Sequence, residues 1–344
     1  MKFKGSLPNK MPSTGTTIFS QMSALAAEHK AVNLSQGFPD FQVDPRLVDM
    51  ATKAMQIGHN QYAPMPGVRV LREAIHNKVK NFYNAEYDVD TEITITAGGT
   101  QALTSTILST IREGDEVILF TPCYDSYVPI IELAGGSPVY VQLKTPDYLP
   151  DWEEFKQVMN HRTRMVIINS PHNPTGTVWN KEDFDQLASI LNGTNIMVLS
   201  DEVYEHITFD GKQHHSVLGH PNLQDRSFAV FSFGKTFHAT GWKLGYVIAP
   251  ENLMFEFRKV HQYEVFSVNA PMQYALAEYM QDPNVFYISS LYQQKRDYFQ
   301  QLMANTRFKA LPSSGTYFQL YDYSEISDES DVDFAKRLVI EYGV

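Results

Sequence analysis

Two side chains that could act on a carbonyl or an amine come directly after apolar runs of the sequence. Lys235 follows residues 228–234, and Asp201 follows residues 196–199. A lysine at the mouth of an apolar strand can serve as a nucleophilic amine, although such a lysine more commonly extends its ammonium group to water. A carboxylate at a buried strand end is costly unless it meets a cation or hydrogen-bond donors. Asp201 could therefore hold a protonated ring nitrogen, ligate a metal or cap a loop.

A glycine-rich turn, Gly98-Gly99-Thr100, adds a candidate anion site. Glycines let the backbone approach a ligand closely, and the N-terminus of a following helix offers free N–H groups and a positive dipole end. The turn could hold a phosphate, or it could be a tight strand-to-helix turn with a threonine cap.

Other templates for nucleotide, metal and hydrolase sites are not matched. Gly234-Lys235-Thr236 is similar to the end of a P-loop, but Ala229 stands where that motif needs a glycine. His214-His215 has no partners at ligand spacing, which favours a polar loop over a metal centre. The sequence also contains no Cys-x-x-Cys, His-Glu-x-x-His or Gly-x-Ser-x-Gly pattern. We therefore expect no metal ion.

The candidate residues belong to a series of short apolar strands that alternate with amphipathic helices. Strands are predicted over residues 93–96, 116–120, 138–143, 165–169, 196–199, 228–231 and 244–249. Helices are predicted over residues 45–57, 68–82, 100–111, 124–133, 152–159 and 181–191, the first with Asp44 as N-cap and Pro45 in its first turn. This order predicts an α/β fold with a mainly parallel sheet and helices on both faces. Ligands of such sheets bind beyond the carboxyl ends of the strands, where the candidate residues stand.

The pattern changes near residue 284. One long helix is predicted over 284–303, and paired strands are predicted within 308–323 around a turn at 312–315. The chain of 344 residues is long enough for about two domains. We therefore expect an N-terminal segment of a small domain over 1–44, a large domain over 45–283 and a small α+β domain over 284–344.

Composition excludes several classes of protein. A hydrophobic content of 43% is too high for a mainly disordered chain. The net charge of −11 and the absence of a basic run argue against nucleic-acid binding. The lone cysteine, Cys123, forms no intrachain disulfide, which fits a reducing compartment. Residues 1–17 lack the apolar core of a signal peptide, and no run approaches the roughly 18 apolar residues of a membrane span, so a cytoplasmic protein is expected.

Taken together, the strand ends resemble one known family. The matching segments, in order along the chain, are Ser35–Phe41 (SQGFPDF), Tyr62–Gly67 (YAPMPG), Asn173–Gly176 (NPTG), Ser200–Tyr204 (SDEVY), Ser232–Thr236 (SFGKT) and Gly241–Gly245 (GWKLG). Their order and spacing are similar to those of the class I/II aminotransferases of pyridoxal-phosphate (pyridoxal 5'-phosphate) fold type I. Within that family the chain resembles the branch that contains the bacterial methionine aminotransferases and the kynurenine aminotransferase/glutamine transaminase K group. The resemblance runs from about residue 10 to the end.

The resemblance implies a role for each matched residue around the cofactor ring. Lys235 would form the Schiff base with the cofactor aldehyde and, once displaced, would move the proton from the substrate Cα. Asp201 would pair with the ring nitrogen, Asn173 and Tyr204 would hydrogen-bond the ring 3′-oxygen, and Tyr124 would stack on the ring face.

The resemblance also implies how the phosphate and the substrate are held. The Gly98-Gly99-Thr100 turn, Ser232 and Lys243 would bind the phosphate, and Tyr62 would reach it from the second subunit of a homodimer. Lys243 stands where the family usually has an arginine. A lysine keeps the positive charge but loses the bidentate hydrogen-bond geometry of an arginine. Gly37, Phe38 and Asn173 would contact the amino-acid substrate.

The family pattern continues beyond Tyr342-Gly343-Val344, and that further part carries the arginine that clamps the substrate carboxylate. The resemblance therefore predicts that the small domain is truncated here. No residue up to Val344 replaces the arginine by motif.

The expected activity is transfer of the amino group of methionine, or of a similar large neutral or aromatic amino acid, to a 2-oxo acid. Aromatic residues expected near the pocket are Phe19, Phe38, Tyr62, Tyr124 and Phe266; for Phe19 and Phe266 we expect core or dimer contacts instead. Two alternatives stay open: a β-lyase that acts on cysteine S-conjugates with the same cofactor, and a cofactor-binding regulatory protein with little turnover.

Overall fold

A seven-stranded sheet organises the chain in the computed structural model, which describes residues 4–11, 15–35, 37 and 41–344. Its strands are β1 (Ile93–Thr96), β2 (Glu116–Thr121), β3 (Ser137–Gln142), β4 (Thr163–Asn169), β5 (Met197–Asp201), β6 (Ser227–Ser232) and β7 (Gly245–Ile248). Their spatial order is β1-β7-β6-β5-β4-β2-β3. Strand β7 runs antiparallel to both of its neighbours, β1 and β6, and the other four strand pairs of this sheet are parallel. The predicted strands and the mainly parallel sheet are confirmed.

Twelve α-helices accompany the sheet in the described ranges. They are α1 (Ile18–His29), α2 (Pro45–Gln56), α3 (Arg69–Tyr83), α4 (Gly99–Thr110), α5 (Tyr127–Leu133), α6 (Trp152–Val158), α7 (Lys181–Leu191), α8 (Phe233–Thr236), α9 (Glu251–Glu264), α10 (Ala270–Tyr279), α11 (Ser289–Met303) and α12 (Asp331–Arg337). As predicted, the Asp44 side chain caps α2 by accepting the Arg46 N–H at 2.9 Å. Among the described residues, no helix is long and apolar enough to cross a membrane.

Both faces of the sheet are buried, because neighbouring residues of one strand enter different hydrophobic clusters. Ile118 of β2 packs in a cluster with α3 and α10 residues, whereas Val117 and Leu119 pack in a second cluster with α4 and α9 residues. Such two-sided burial explains why the strands read as continuous apolar runs. It also fixes which residues past the strand ends can face a ligand.

The C-terminal region differs from the prediction in one respect. The expected single helix over 284–303 is wrong: a 3-10 turn spans Pro283–Phe286, and α11 begins only at Ser289. The Asp282 carboxylate accepts the Asn284 N–H at 3.0 Å and starts the short turn, which buries Val285 and Phe286. Burial of these two side chains holds the turn in place, so α11 does not extend back to residue 284 although the apolar spacing continues.

The predicted paired strands are present in short form. β8 (Lys309–Ala310) and β9 (Tyr321–Asp322) pair antiparallel, and the loop between them returns to the large sheet region. Within that loop, Thr316 N–H donates to Ile207 O at 2.9 Å and Ser314 N–H donates to Gly176 O at 2.8 Å. The loop thereby delivers its side chains to the carboxyl edge of the large sheet. The division of the chain at residues 44/45 and 283/284 stays a prediction.

Candidate active site

A cavity of about 350 Å³ opens at the carboxyl ends of β4, β5 and β6. Strand register explains why polar residues meet there: Asn169 of β4 pairs with Asp201 of β5, and Ser232 of β6 pairs with Gly245 of β7. The lining residues are Phe19, Gly37, Gly98, Gly99, Thr100, Leu103, Tyr124, Asn169, Asn173, Asp201, Val203, Tyr204, Ser232, Gly234, Lys235, Thr240, Lys243, Leu244 and Phe318. Most of the predicted site residues are therefore brought together.

Lys235 lies on the short helix α8, which follows β6 directly. Its Nζ donates a hydrogen bond to Tyr317 Oη at 2.7 Å and is 3.5 Å from Gly37 O. The amine is 5.6 Å from the centre of the Tyr204 ring. The amine is half-buried, faces the cavity and contacts no carboxylate among the described residues, so it is available for chemistry and the alternative of a lysine that merely reaches bulk water is not supported.

Asp201 ends β5 and is only 4% exposed. Tyr127 Oη donates to its Oδ2 at 2.6 Å, and the Val203 N–H donates to its Oδ1 at 3.3 Å. Burial raises the pKa of this carboxyl from 3.8 to about 6, while the Tyr127 hydrogen bond, the Val203 N–H and the Lys235 charge oppose the rise. A carboxylate held in this way is stabilised further by a cationic partner that enters the cavity.

The segment that begins at Asp201 sends its side chains to two sides of the chain. Asp201 and Tyr204 line the cavity, whereas Glu202 and Glu205 are buried behind it. Tyr204 is itself buried, which raises the pKa of its hydroxyl well above the usual range. Its hydroxyl is therefore a neutral donor at physiological pH.

A hydrogen-bonded loop carries Asn173 to the cavity. Asn169 Nδ2 donates to Asp201 O at 2.7 Å, and Asn169 Oδ1 accepts the Asn173 N–H at 2.7 Å. Asn169 thus links the end of β5 to the loop after β4. Because both of its bonds go to backbone atoms, it fixes the distance between Asn173 and Asp201.

A corner of the cavity has the composition of a phosphate site. Gly98 has φ +83°, which favours glycine, and the first turn of α4 follows it with Gly99 and Thr100. Lys243 lies beside this turn, since a Cβ on Gly98 would be 3.5 Å from Lys243 Nζ. Ser232 lines the same cavity. Free N–H groups of a helix start, a hydroxyl and an ammonium group together suit a dianionic phosphate.

Gly245 makes this corner possible. A Cβ on Gly245 would overlap Phe231 O and lie 3.1 Å from the backbone of Gly98 and Gly99. Glycine therefore allows β7 to pass close behind the turn. Tyr124 closes the other side, with its hydroxyl 3.4 Å from Thr100 Oγ1 and its ring edge-on to Tyr127.

Four predicted pocket residues have other outcomes. Tyr62 does not line the cavity; it is 81% exposed and packs edge-on against Phe266, which is also exposed. Its contact across a dimer stays a prediction. Because it is exposed, Phe266 is not a core residue. Phe19, for which we expected a core or dimer contact, lies on α1 and lines the cavity instead. Phe38 lies outside the described residues.

Residues that the sequence interpretation missed complete the site. Asn169, Tyr127, Tyr317 and Phe318 contact predicted residues or line the cavity. Asn169 ended a predicted strand beside the Asn-Pro-Thr-Gly segment, so its position was a usable signal. Tyr317 comes 82 residues after Lys235 in the chain, and nothing local in the sequence connects the two.

Behind the cavity, two buried networks fix the segment that carries Asp201 and Tyr204. Glu205 accepts hydrogen bonds from Lys78 Nζ and Tyr83 Oη. Burial raises the pKa of Glu205, but the charge and hydrogen bond of Lys78 outweigh it, so its pKa lies below the usual range. Lys78 and Glu205 thus form an ion pair in which both side chains are buried, and burial lowers the pKa of Lys78 against the opposing charge of Glu205.

The second network shows that the predicted loop at 214–215 is present but that its first histidine is buried. His214 is buried and its Nε2 lies 2.9 Å from Glu202 Oε2, while the Ser200 hydroxyl donates to Glu202 Oε1 at 2.8 Å. His214 thus belongs to the interior, because Glu202 needs a partner behind the sheet. In the part of the chain that the structure describes, no group of three or more acidic, histidine or cysteine side chains could hold a metal ion.

Replacing Lys78 by alanine is expected to lower the free energy of unfolding by about 3–5 kcal/mol, because Glu205 would remain buried without its cation. Urea denaturation of the cofactor-free protein measures this change. The control is Lys80→Ala on the same helix, which removes an exposed lysine 2.5 Å from Glu86 and should leave the unfolding midpoint almost unchanged. Equal midpoints for both variants would show that the buried pair contributes nothing.

Comparison with known proteins agrees with the geometry. The family model described as "Aminotransferase class I and II" matches residues 29–344. The chain is 50% identical to the methionine aminotransferase of Escherichia coli K12 over 338 residues, which is 98% of this chain and 88% of that protein. It is 34% identical to the kynurenine–oxoglutarate transaminase of Dictyostelium discoideum, with 98% and 86% of the two chains covered.

Solved structures give the same result. The crystal structure of YbdL from Escherichia coli, reported to have a methionine aminotransferase function, superposes with a TM-score of 0.95 at 49% identity and covers 99% of this chain and 90% of that one. The N-succinyldiaminopimelate aminotransferase of Mycobacterium tuberculosis superposes with a TM-score of 0.95 at 34% identity, covering 98% and 89%.

The residues present fit the cofactor of such enzymes. The Lys235 amine, which has no carboxylate partner among the residues that the structure describes, can bond to an aldehyde; the buried Asp201 carboxylate suits a ring N–H cation, and the turn beside Lys243 suits a phosphate. From the sequence, the cavity and these comparisons, the chain belongs to the class I and II aminotransferases, enzymes that use pyridoxal phosphate.

Proposed function

We propose that this aminotransferase transfers the amino group of methionine, or of a similar large neutral or aromatic amino acid, to a 2-oxo acid. The observation that carries the proposal is the position of the Lys235 amine, which faces the same cavity as the buried Asp201 carboxylate. The 50% identity to a methionine aminotransferase supports the choice of amino donor.

Pyridoxal phosphate, when bound, supplies the electron sink for negative charge that develops at the substrate Cα. Lys235 is the base that takes the Cα proton and delivers it to the cofactor C4′. Asp201 keeps a proton on the ring nitrogen, because its buried carboxylate is stabilised by that N–H. These two residues form the catalytic pair of the proposal.

The remaining residues bind and orient. The phosphate would be held by the N–H groups of Gly99 and Thr100 after Gly98, together with Ser232 and Lys243. The ammonium group of Lys243 neutralises charge on the phosphate, although it lacks the bidentate hydrogen bonding of an arginine. Asn173, Tyr204 and Tyr124 line the same cavity; Asn173 and the neutral Tyr204 hydroxyl would donate to the ring 3′-oxygen, and Tyr124 would stack on the ring. The family resemblance assigns substrate contacts to Gly37 and Asn173, which line the cavity, and to Phe38.

The apolar part of the cavity supports a large uncharged side chain. Phe19 and Phe318 line it together with Leu103. A thioether makes favourable contacts with aromatic rings, so methionine suits these residues, whereas the second carboxylate of an acidic substrate would lose hydration against them.

The test is a half-reaction panel with the cofactor-loaded full-length protein. Methionine and phenylalanine should convert the cofactor about ten- to a hundredfold faster than aspartate, and methionine with a 2-oxo acid should yield the 2-oxo acid of methionine. Absorbance changes and product chromatography measure the two steps. Faster conversion with aspartate would refute the substrate class, and pyruvate plus ammonia from a cysteine S-conjugate would favour a β-lyase.

We also propose a cytoplasmic homodimer. The single Cys123 fits a reducing compartment. Tyr62, Tyr263 and Phe266 are highly exposed aromatic side chains; Tyr62 packs against Phe266, and Tyr263 lies three residues before Phe266 in the chain. Such exposed aromatic residues suit an interface in which Tyr62 reaches the phosphate of the second subunit. Sedimentation at micromolar concentration should give twice the 39.2 kDa chain mass. A monomer that retains full cofactor binding would contradict the role of Tyr62.

A further inference from the structure

Tyr317 contacts the reacting amine, although neither a sequence motif nor the proposed function assigns it a role. Its hydroxyl oxygen accepts a hydrogen bond from Lys235 Nζ at 2.7 Å and donates its own hydrogen to Gly37 O. The residue comes from the loop between β8 and β9 and thus reaches Lys235 from the C-terminal region. One hydroxyl therefore joins the amine on α8 to the segment that holds Gly37.

The ring of Tyr317 is fixed by its neighbours. It packs edge-on against Tyr204 with ring centres 5.3 Å apart, and its other neighbours include Tyr292 at 5.7 Å and Phe318 at 5.0 Å. The preceding residue, Thr316, is fully buried, has φ +63° and donates its N–H to Ile207 O. The hydroxyl position is thus set by packing before any ligand binds.

The hydrogen-bond directions determine what Tyr317 can do. Since its only hydroxyl hydrogen goes to Gly37 O, its oxygen can act toward Lys235 only as an acceptor. A neutral amine has two hydrogens and one lone pair. Tyr317 Oη takes one hydrogen and Gly37 O, 3.5 Å away, lies in reach of the other, so the lone pair stays free to take a proton.

We propose that Tyr317 is the positioning residue of Lys235: it holds the free amine in one orientation and couples that orientation to the backbone of Gly37. The inference rests on the proposed role of Lys235. Gly37 is suited to this contact because a Cβ there would overlap the Tyr317 and Phe318 rings. The hydroxyl of Tyr317, not its ring, carries the proposed effect.

The test compares Tyr317→Phe with Tyr292→Phe. The control removes a hydroxyl from the same aromatic cluster, but that hydroxyl bonds to His238 Nδ1 at 2.9 Å and not to Lys235. Three quantities are measured: the final extent of covalent cofactor attachment at Lys235, the rate of that attachment to the cofactor-free protein, and the rate at which methionine exchanges its Cα proton.

In Tyr317→Phe we expect complete final attachment and an unchanged melting temperature, with the attachment rate and the exchange rate both about tenfold lower. The concentration of methionine that half-saturates exchange should change less than about twofold, because the hydroxyl orients the amine rather than binding the side chain. Rates equal to those of Tyr292→Phe, with complete attachment in both, would overturn the positioning role alone. Absence of attachment in the unmodified protein would overturn the proposed function and this inference together.

Discussion

Lys235→Ala is expected to abolish covalent attachment of pyridoxal phosphate and to lower turnover by about four to six orders of magnitude. Two lysines stand among the described residues that line the cavity, Lys235 and Lys243, and Lys243 lies beside the Gly98 turn. Removing the Lys235 amine eliminates both the bond to the cofactor aldehyde and the base for the Cα proton. The fold should persist, because the Lys235 amine forms no ion pair in the described structure and its side chain is only half-buried.

Absorption spectroscopy and single-turnover measurements with methionine check this expectation. The matched control is Lys259→Ala, which removes an exposed lysine 2.6 Å from Glu256 on α9. The control should keep the visible cofactor band and full turnover. A Lys235→Ala variant with an unchanged band would assign the covalent bond to a different residue.

Asp201→Asn should produce opposite effects on catalysis and on stability. Without the carboxylate, the protonated ring nitrogen loses its partner, and removal of the Cα proton should slow by about a thousandfold, as when one preorganised electrostatic group is lost. The covalent bond through Lys235 should still form. Asp225→Asn, an exposed carboxylate replaced in the same way, is the control and should leave the exchange rate unchanged.

The stability effect follows from the pKa of Asp201 in the cofactor-free protein. This pKa is raised from 3.8 to about 6 by burial, so the carboxyl costs the folded state nothing below pH 3.8, where it is protonated in both states. Between pH 3.8 and 6 the unfolded chain ionises first and stability falls, and above pH 6 the full cost is about 3 kcal/mol. Asp201→Asn avoids this cost.

Urea denaturation of the cofactor-free proteins at several pH values measures the difference. The variant should gain up to about 3 kcal/mol over the unmodified protein at pH 8 and much less at pH 4. A difference that does not depend on pH would contradict the assigned burial of an ionised carboxylate. A gain in stability with a loss of activity is the expected signature of a carboxylate kept for function.

The comparison of sequence with structure shows what local patterns can and cannot predict. The roles of Lys235, Asp201 and Asn173 were predictable from the resemblance of their segments to the aminotransferase family, and their meeting was predictable because parallel strands end at one edge of a sheet. The break in the helix before Ser289 was not predictable, because it depends on the turn capped by Asp282 and on the burial of Phe286. Apolar spacing alone does not record such anchoring.

Contacts between distant parts of the chain were the second limit. Tyr127 lies 74 residues before Asp201, and Tyr317 follows Lys235 by 82 residues, so only the folded chain brings these hydroxyls to their partners. The burial of His214 has the same origin, because its partner Glu202 faces away from the cavity. Side chains that support a reacting group are recognised by geometry rather than by motif.

Hydride trapping of the cofactor-loaded protein, followed by peptide mass spectrometry, tests the central claim most directly. Reduction with borohydride should leave one pyridoxyl group per chain, on the peptide that contains Lys235. A modified Lys243 or Lys78, or an unmodified chain that nevertheless binds the cofactor, would contradict the assignment of Lys235 as the reacting amine.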